Sequence, residues 1–309
     1  MYDVFKATSD GLVIVTEFEK NCWVRVSNPT SEEINLLSDT FGVPPAFLTD
    51  PLDVDERARI EIEEDVTLII VRIPFFEGGD VDIPYTTIPL GIVLTDEYIV
   101  TVSSRPLEHL LDFVDGKVRT FSHESRARFI LQIFSRTALL YLRYLKDINK
   151  RTDQIERELH KSLKNEELIK LLNLEKSLVY FTTSVRSNEI MMERIDKTGL
   201  RMSEDDRDIL EDVIIENKQA IEMANIYSNI LSGMMDAFAS VINNNVSVVM
   251  KFLTSVTIIF MIPTFVSSTF GMNVPLPFQH SAHAFLIVTG ISLLLSLTGV
   301  WIFWKRRWF

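Results

Sequence analysis

The chain has 309 residues and a formal net charge of −12, a length that suits two or three structural units. All 43 acidic residues lie before position 251, so the first 250 residues carry a net charge of −16, whereas the remaining segment carries only four basic side chains. This balance argues against a nucleic-acid-binding protein and favours a body that concentrates cations around itself.

Residues 1–121 are predicted to form a cytoplasmic α/β domain. Residues 66–73 and 98–102 are short runs rich in β-branched side chains, which favour strands, and residues 31–41 have a helical pattern. The tripeptide Gly78-Gly79-Asp80 predicts a turn between two strands.

Residues 122–250 are predicted to be helical, because leucine and isoleucine recur there at helical spacing and proline is absent. A break between two long helices is predicted at residues 163–165. Gly199 predicts a helix end, and Ser203 predicts the N-cap of the next helix. The first turns of that helix are acidic, which the positive end of the helix dipole favours.

Residues 251–309 are predicted to form a transmembrane hairpin. Residues 252–270 and 284–304 are uncharged apolar segments, and each is close to the roughly 20 residues that cross a bilayer as a helix. Residues 203–270 contain one glycine and one proline. The sequence therefore predicts one continuous helix, roughly 100 Å long at about 1.5 Å per residue, that passes from the cytoplasm into the bilayer.

Basic residues at the ends of the hairpin predict its orientation. Lys251 precedes the first span, Lys305, Arg306 and Arg307 follow the second, and the connecting loop has neither lysine nor arginine. By the positive-inside rule, both termini and the large acidic domain are cytoplasmic. We therefore expect a two-span protein of the cytoplasmic membrane that is in contact with lipid.

A stripe of mostly polar residues follows the long helix into the first span. Alternating steps of four and three residues give a period of 3.5, which holds one face against a common axis when helices associate. Because polar atoms in a membrane must face protein or water, the stripe predicts several copies around an aqueous path. Its members are Asp236, Ser240, Asn243, Ser247, Met250, Thr254, Thr257, Met261, Thr264 and Ser268.

The chemistry of this stripe suits a hydrated divalent cation. It has no charged side chain inside the membrane, and Mg2+ is small, octahedral and slow to lose water. Hydroxyl, amide and carbonyl oxygens can accept hydrogen bonds from the waters of the ion. The Asn273 side chains of several copies would form the first ring of such oxygens at the outer mouth. Asp236 would supply carboxylates at the cytoplasmic end. Alternatively, each hydroxyl bonds its own helix and serves only helix packing.

The connecting loop opens with Gly271-Met272-Asn273. This tripeptide after the first of two C-terminal spans resembles the hallmark of the CorA family of divalent-cation channels. The segment Met250–Thr254 at the start of the span, Pro263-Thr264 within it and the basic, aromatic C-terminal end are also similar. Gly271 is expected to allow a sharp turn at the end of the helix.

The resemblance implies a funnel-shaped homopentamer that conducts Mg2+, often also Co2+ or Ni2+. It places the pore lining on the stripe, with Met250, Leu253 and Met261 near a hydrophobic gate. It also implies a regulatory Mg2+ site between neighbouring cytoplasmic domains, with one carboxylate in a Leu-x-Asp segment and one on the long helix. Asp50 and Asp212 are at these positions.

Two departures from the family pattern bear on ion preference. Phe270 replaces the tyrosine that usually precedes Gly-Met-Asn, and residues 274–283 lack the acidic side chains of many relatives. His280 and His283 in that loop raise the possibility of Zn2+, although two histidines without further ligands are more often polar interfacial residues.

The sequence leaves three alternative functions open. The first is potential-driven Mg2+ uptake through a pentamer that intracellular Mg2+ closes. The second is a Zn2+ transporter of the same superfamily, with possible proton coupling. The third is a membrane-anchored scaffold without ion flux, against which the polar stripe argues. No enzyme motif is apparent, so we expect a protein that is not an enzyme.

Overall fold

The computed structural model describes residues 1–8, 11–79, 81–107, 110, 112–113, 126–161, 165–195, 200–277, 282–306 and 308. The chain divides into two compact units, Met1–Gly233 and Met234–Phe309. The functional division at residues 121 and 250 stays a prediction. Several predicted features fall outside the described residues, namely Asp80, residues 163 and 164, Gly199, His280 and Arg307.

Seven strands form one sheet within the described part of the first unit. The strand order is β2-β1-β3-β7-β6-β5-β4, and every neighbouring pair is antiparallel except β3 and β7. The strands are β1 (Tyr2–Thr8), β2 (Gly11–Val15), β3 (Trp23–Ser27), β4 (Arg59–Glu63), β5 (Val66–Phe76), β6 (Tyr85–Leu94) and β7 (Ile99–Ser103).

The predicted strands and turn of this unit are confirmed where they are described. Residues 66–73 lie within β5, and the run predicted at residues 98–102 is strand β7, one residue later. Gly78 and Gly79 lie between the antiparallel strands β5 and β6, and Gly78 adopts a φ of +126° that favours glycine.

Helices cover both faces of the sheet. On one face lie α1 (Ser31–Phe41), α2 (Pro45–Thr49) and a short 3-10 helix (Asp50–Leu52), whose apolar side chains pack on Val24, Leu68 and Val100. The predicted helix 31–41 is thus confirmed, and the N-cap Thr30 and Glu33 form a capping box at its start.

Three longer helices follow, namely α3 (Arg126–Lys161), α4 (Asn165–Met192) and α5 (Glu204–Phe270). Parts of all three pack on the other face of the sheet, where Phe134, Met191 and Val213 share a core with strand residues. The central strands are buried on both sides, which explains their nearly continuous apolar sequences.

The start of α5 agrees with the predicted N-cap. The hydroxyl of Ser203 accepts a hydrogen bond from the backbone N–H of Asp206 at 3.2 Å, and the Asp206 carboxylate accepts one from the backbone N–H of Ser203 at 3.0 Å. The helix then continues without interruption to Phe270, across Pro263. The predicted continuous helix is confirmed, and Pro263 does not interrupt it.

The second unit contains the end of α5 and the helix α6 (Ala284–Lys305). Both α5 and α6 contain an 18-residue window that is long and apolar enough to cross a membrane. The windows are only 6% buried, as expected for a surface that faces lipid or other helices rather than water.

Candidate functional site

All ten residues of the polar stripe on α5 are exposed in the single chain. The apolar members are among the more exposed hydrophobic residues, with Met250 at 55% and Met261 at 62%, and the neighbouring Leu253 is 56% exposed. Among the described residues, most of this face of the helix is therefore uncovered, and only Met261 also borders an apolar cleft that α6 helps to line.

A different face of α5 packs against α6. Ser255 and Val266 are buried on that face, and Ile262 lies close to Gly299 of α6, where an added Cβ atom would come within 3.4 Å of the Ile262 side chain. At about 100° per residue, this face lies about 150° around α5 from the polar stripe. The helix hairpin thus leaves the stripe on its outer side.

Four hydroxyls of the stripe are bonded to their own helix. Each donates a hydrogen bond to the backbone carbonyl four residues earlier, at 2.8 to 3.0 Å. These are the bonds expected if the hydroxyls serve helix packing, which is the alternative to a pore lining. Such a hydroxyl has used its proton but keeps an oxygen that can accept a further hydrogen bond. The four residues are Ser240, Ser247, Thr257 and Thr264.

The Gly-Met-Asn segment directly follows α5. The backbone N–H of Gly271 donates to the carbonyls of Ser267 and Ser268 at 3.0 and 3.2 Å, and that of Met272 donates to Thr269 at 3.3 Å. The described glycines with positive φ are Gly42 and Gly78, so Gly271 closes the helix without a left-handed conformation. The helix ends at the glycine, as the expected turn there requires, and Asn273 is exposed after the last turn.

The histidine pair of the loop is only partly described. His283 directly precedes α6, and its side chain makes no capping hydrogen bond to that helix. At the other end of α6, the Lys305 ammonium lies 5.2 Å from the centre of the Trp301 ring, and Trp308 stacks on Phe303. A lysine beside tryptophan at the end of an apolar helix is typical of a membrane interface.

The predicted regulatory residue Asp50 lies in the first unit, at the junction of α2 and the 3-10 helix. Its carboxylate forms an ion pair with Arg59 at 2.7 Å, between Arg59 Nη2 and Asp50 Oδ2. The next residue, Pro51, packs against Gly91 of β6, where any side chain would collide with the proline ring. The 3-10 helix is therefore seated directly on the sheet.

The segment after Asp50 is held by the buried side chain of Arg72. Its guanidinium donates hydrogen bonds to the carbonyl of Glu56 and to the carbonyl and hydroxyl of Thr87, each at 2.8 Å, and also to the carbonyl of Val54. Burial lowers the pKa of Arg72. These neutral acceptors fix the backbone of residues 54–56 to strand β6.

The second predicted regulatory residue, Asp212, is exposed on α5 within the first unit. Glu216 lies one turn further on, and its Oε2 atom is buried without a hydrogen-bond partner. Burial raises the pKa of the Glu216 carboxyl, and the charge of Asp212 raises it further. A cation that approaches Asp212 and Glu216 would favour the ionised form of the Glu216 carboxyl.

The structure does not join Asp50 and Asp212 by a hydrogen bond or an ion pair. Among the described residues, no three His, Cys, Asp or Glu side chains are arranged to hold a metal ion. Arg59 and Glu56 are residues of this region that the sequence interpretation missed. The one available signal was the spacing of Arg59 and Glu61 in β4, because alternate residues of a strand share a face.

An acidic α/β unit, a 67-residue helix with an apolar end and a second apolar helix together define a membrane transport protein with two spans. The chain belongs to the CorA family, because the family model described as "CorA-like Mg2+ transporter protein" matches residues 18–307.

Curated relatives match along nearly the whole chain. The cobalt/magnesium transport protein CorA of Methanocaldococcus jannaschii is 28% identical over 100% of both chains. The protein of the same name from Thermotoga maritima is 20% identical over 93% of this chain and 83% of its own.

Solved structures agree with the fold. The complete structure of the CorA magnesium transporter from Methanocaldococcus jannaschii superposes with a TM-score of 0.87 at 27% identity, over 100% of this chain and 99% of that one. The ZntB cytoplasmic domain from Vibrio parahaemolyticus matches with a TM-score of 0.61 at 12% identity over 79% of this chain and 97% of that one, which is a likeness of fold alone.

Proposed function

We propose that this chain is one subunit of a homopentameric channel that carries Mg2+ into the cytoplasm, driven by the membrane potential. Co2+ and Ni2+ are expected as further substrates. Two CorA relatives are named for cobalt and magnesium transport, which supports this substrate class. An inside-negative potential of about 100 mV contributes roughly 4.6 kcal/mol to the inward movement of a divalent ion, twice the single-charge value.

One observation carries the proposal, namely the exposed polar face of α5 that lies away from α6. In contact with lipid, the polar atoms of this face would lack hydrogen-bond partners. In an assembly with other copies of the chain, the same face would line an aqueous path. The acidic body and the basic residues that flank the spans support cytoplasmic termini. The proposed pore lining comprises Asp236, Ser240, Asn243, Ser247, Met250, Leu253, Thr254, Thr257, Met261, Thr264 and Ser268, with Gly271, Met272 and Asn273 at the outer mouth.

The hydroxyls of the stripe suit a hydrated cation rather than an anion. Four of them donate their proton to their own helix, so toward the pore they act as acceptors. The waters bound to a cation point their protons outward and donate to such oxygens. Mg2+ can therefore pass with its waters in place, which avoids the cost of stripping them.

For regulation, we propose that intracellular Mg2+ binds near Asp50 and Asp212 and favours the closed channel. Both carboxylates reach solvent, and Glu216 adds a second carboxyl beside Asp212. Since no described group of three ligands surrounds an ion directly, binding through water or with a neighbouring copy fits better than a closed cage. A ligand that binds only the closed state stabilises it.

The test is ion influx into proteoliposomes that contain a trapped Mg2+ indicator and an imposed membrane potential. Influx that follows the potential and is lost in Asn273→Ala supports the proposal. Asn243→Ala, on the stripe, should reduce influx, whereas the adjacent Asn244→Ala serves as the matched control and should not. Influx of Zn2+ that follows a proton gradient instead would favour the zinc alternative, and no flux of any ion would favour the scaffold.

A further inference from the structure

The Arg59 side chain binds three carboxylates at once. Its Nη2 lies 2.7 Å from Asp50 Oδ2, its Nε lies 3.2 Å from Glu61 Oε2, and its Nη1 pairs with Glu56. Desolvation of the guanidinium opposes its charge, yet the three carboxylates together raise the pKa of Arg59. Asp50 is thus already ion-paired within the chain, although one guanidinium charge is shared among three carboxylates.

The four charged groups are held in place from several sides. Pro51 rests on Gly91, which fixes the residue next to Asp50. The backbone of Glu56 is bonded to Arg72, and the N–H of Ala58 donates to the Ser187 hydroxyl at 3.1 Å. Arg59 and Glu61 belong to strand β4. The carboxylates therefore form a fixed anionic cluster whose centre is occupied by a side-chain cation.

Solvent still reaches this cluster. The side chains of Asp50 and Arg59 each keep 32% of their surface exposed, and that of Glu61 keeps 47%. An aqueous ion can therefore approach the same oxygens that Arg59 now binds. A guanidinium at this position repels an arriving divalent cation and competes with it for Asp50.

We propose that Arg59 is a built-in competitor of Mg2+ at Asp50, and that it raises the Mg2+ concentration at which the channel closes. This inference rests on the regulatory role proposed above for Asp50. Mg2+ binds when it displaces Arg59 from Asp50 or shares the carboxylate through a bound water. The Mg2+-bound and Mg2+-free forms of the cluster then differ in which cation is paired with Asp50.

The experiment compares Arg59→Gln with Arg57→Gln in the full-length purified protein. Both variants remove one positive charge from the same segment, but Arg57 forms no ion pair among the described residues whereas Arg59 forms three. Two readouts are taken against Mg2+ concentration, namely protection from limited proteolysis and inhibition of flux in proteoliposomes.

We expect the Mg2+ midpoint of both readouts to fall roughly fivefold in Arg59→Gln and less than about twofold in Arg57→Gln, since exposed ion pairs contribute modestly and general charge effects are screened. Arg59→Lys keeps the charge but not the three-pronged geometry, so its midpoint should fall less than that of Arg59→Gln. Equal shifts in Arg59→Gln and Arg57→Gln, or a fall in Arg59→Lys as large as in Arg59→Gln, would overturn the inference.

Asp50→Asn tests the regulatory role of Asp50 separately from the competition by Arg59. If Asp50→Asn leaves the Mg2+ midpoints unchanged, the proposed regulatory role of Asp50 is wrong, and the inference about Arg59 falls with it. If Asp50→Asn raises the midpoints while Arg59→Gln behaves like Arg57→Gln, the regulatory site stands and only the competition is refuted.

Discussion

Pro51 lies so close to Gly91 that a Cβ atom added to the glycine would come within 2.2 Å of the proline Cγ atom. Real Cβ atoms do not approach other atoms so closely, and Pro51 is a buried residue of the 3-10 helix that begins at Asp50. The absence of a side chain at one position of β6 therefore sets the position of a carboxylate proposed to sense Mg2+.

Gly91→Ala is predicted to destabilise the first unit and to displace Asp50. Overpacking in a well-packed region costs about 1 to 3 kcal/mol, and we expect a loss of this size in the free energy of unfolding, measured by denaturant titration. Gly79→Ala is the control, because its added Cβ atom meets nothing within 4 Å. Equal stability of the two variants would show that the 3-10 helix can move away from the sheet at little cost.

Asn188→Ala is predicted to weaken the attachment of α4 to the sheet. The buried Asn188 amide accepts a hydrogen bond from the backbone N–H of Arg72 and donates one to its carbonyl, both at 2.8 Å. The variant leaves two buried backbone groups with fewer partners, at a cost of about 2 to 4 kcal/mol in unfolding free energy. Denaturant titration should show no such loss in Asn229→Ala, whose side chain is exposed.

Asp206 is predicted to make the free energy of unfolding depend on pH in the acidic range. Burial opposes ionisation, but hydrogen bonds from Ser203 and Arg128 outweigh it and lower the pKa of this carboxyl below its usual value of 3.8. Because the folded pKa is the lower one, the stabilisation is present above the unfolded pKa and is lost as pH falls through the folded pKa.

Asp206→Asn should therefore lower the free energy of unfolding at pH 7, by about 1.5 to 3 kcal/mol for the charged hydrogen bonds, and should flatten its decline below pH 4. Asp205→Asn is the matched control, since that side chain is 86% exposed and lies 3.9 Å from Arg128. A similar acid profile for the two variants would refute the assignment.

The sequence predicted the features that depend on local pattern. The N-cap Ser203, the helix 31–41 and the uninterrupted helix to Phe270 follow from neighbouring residues, and so do the two apolar helices. The family resemblance, rather than local pattern, assigned Gly271, Met272 and Asn273 to the outer mouth of the pore. Periodicity alone placed the stripe on one helix face, and its exposure agrees with that arrangement.

The features that were missed depend on residues far apart in the chain. Arg59 meets Asp50 where Pro51 packs closely against Gly91 of a distant strand, and Asn188 reaches Arg72 across 116 positions.

The central claim is that the stripe on α5 lines the path of the ion. The most direct test is Mg2+ influx in proteoliposomes for Thr264→Val and Thr269→Val. Both threonines bond their own helix, but Thr264 lies on the stripe and Thr269 lies off it and is half-buried. Thr264→Val should slow influx about tenfold, equivalent to about 1.4 kcal/mol of barrier, because an apolar ring replaces acceptor oxygens. Thr269→Val should leave influx unchanged, and equal effects of the two variants would contradict the account.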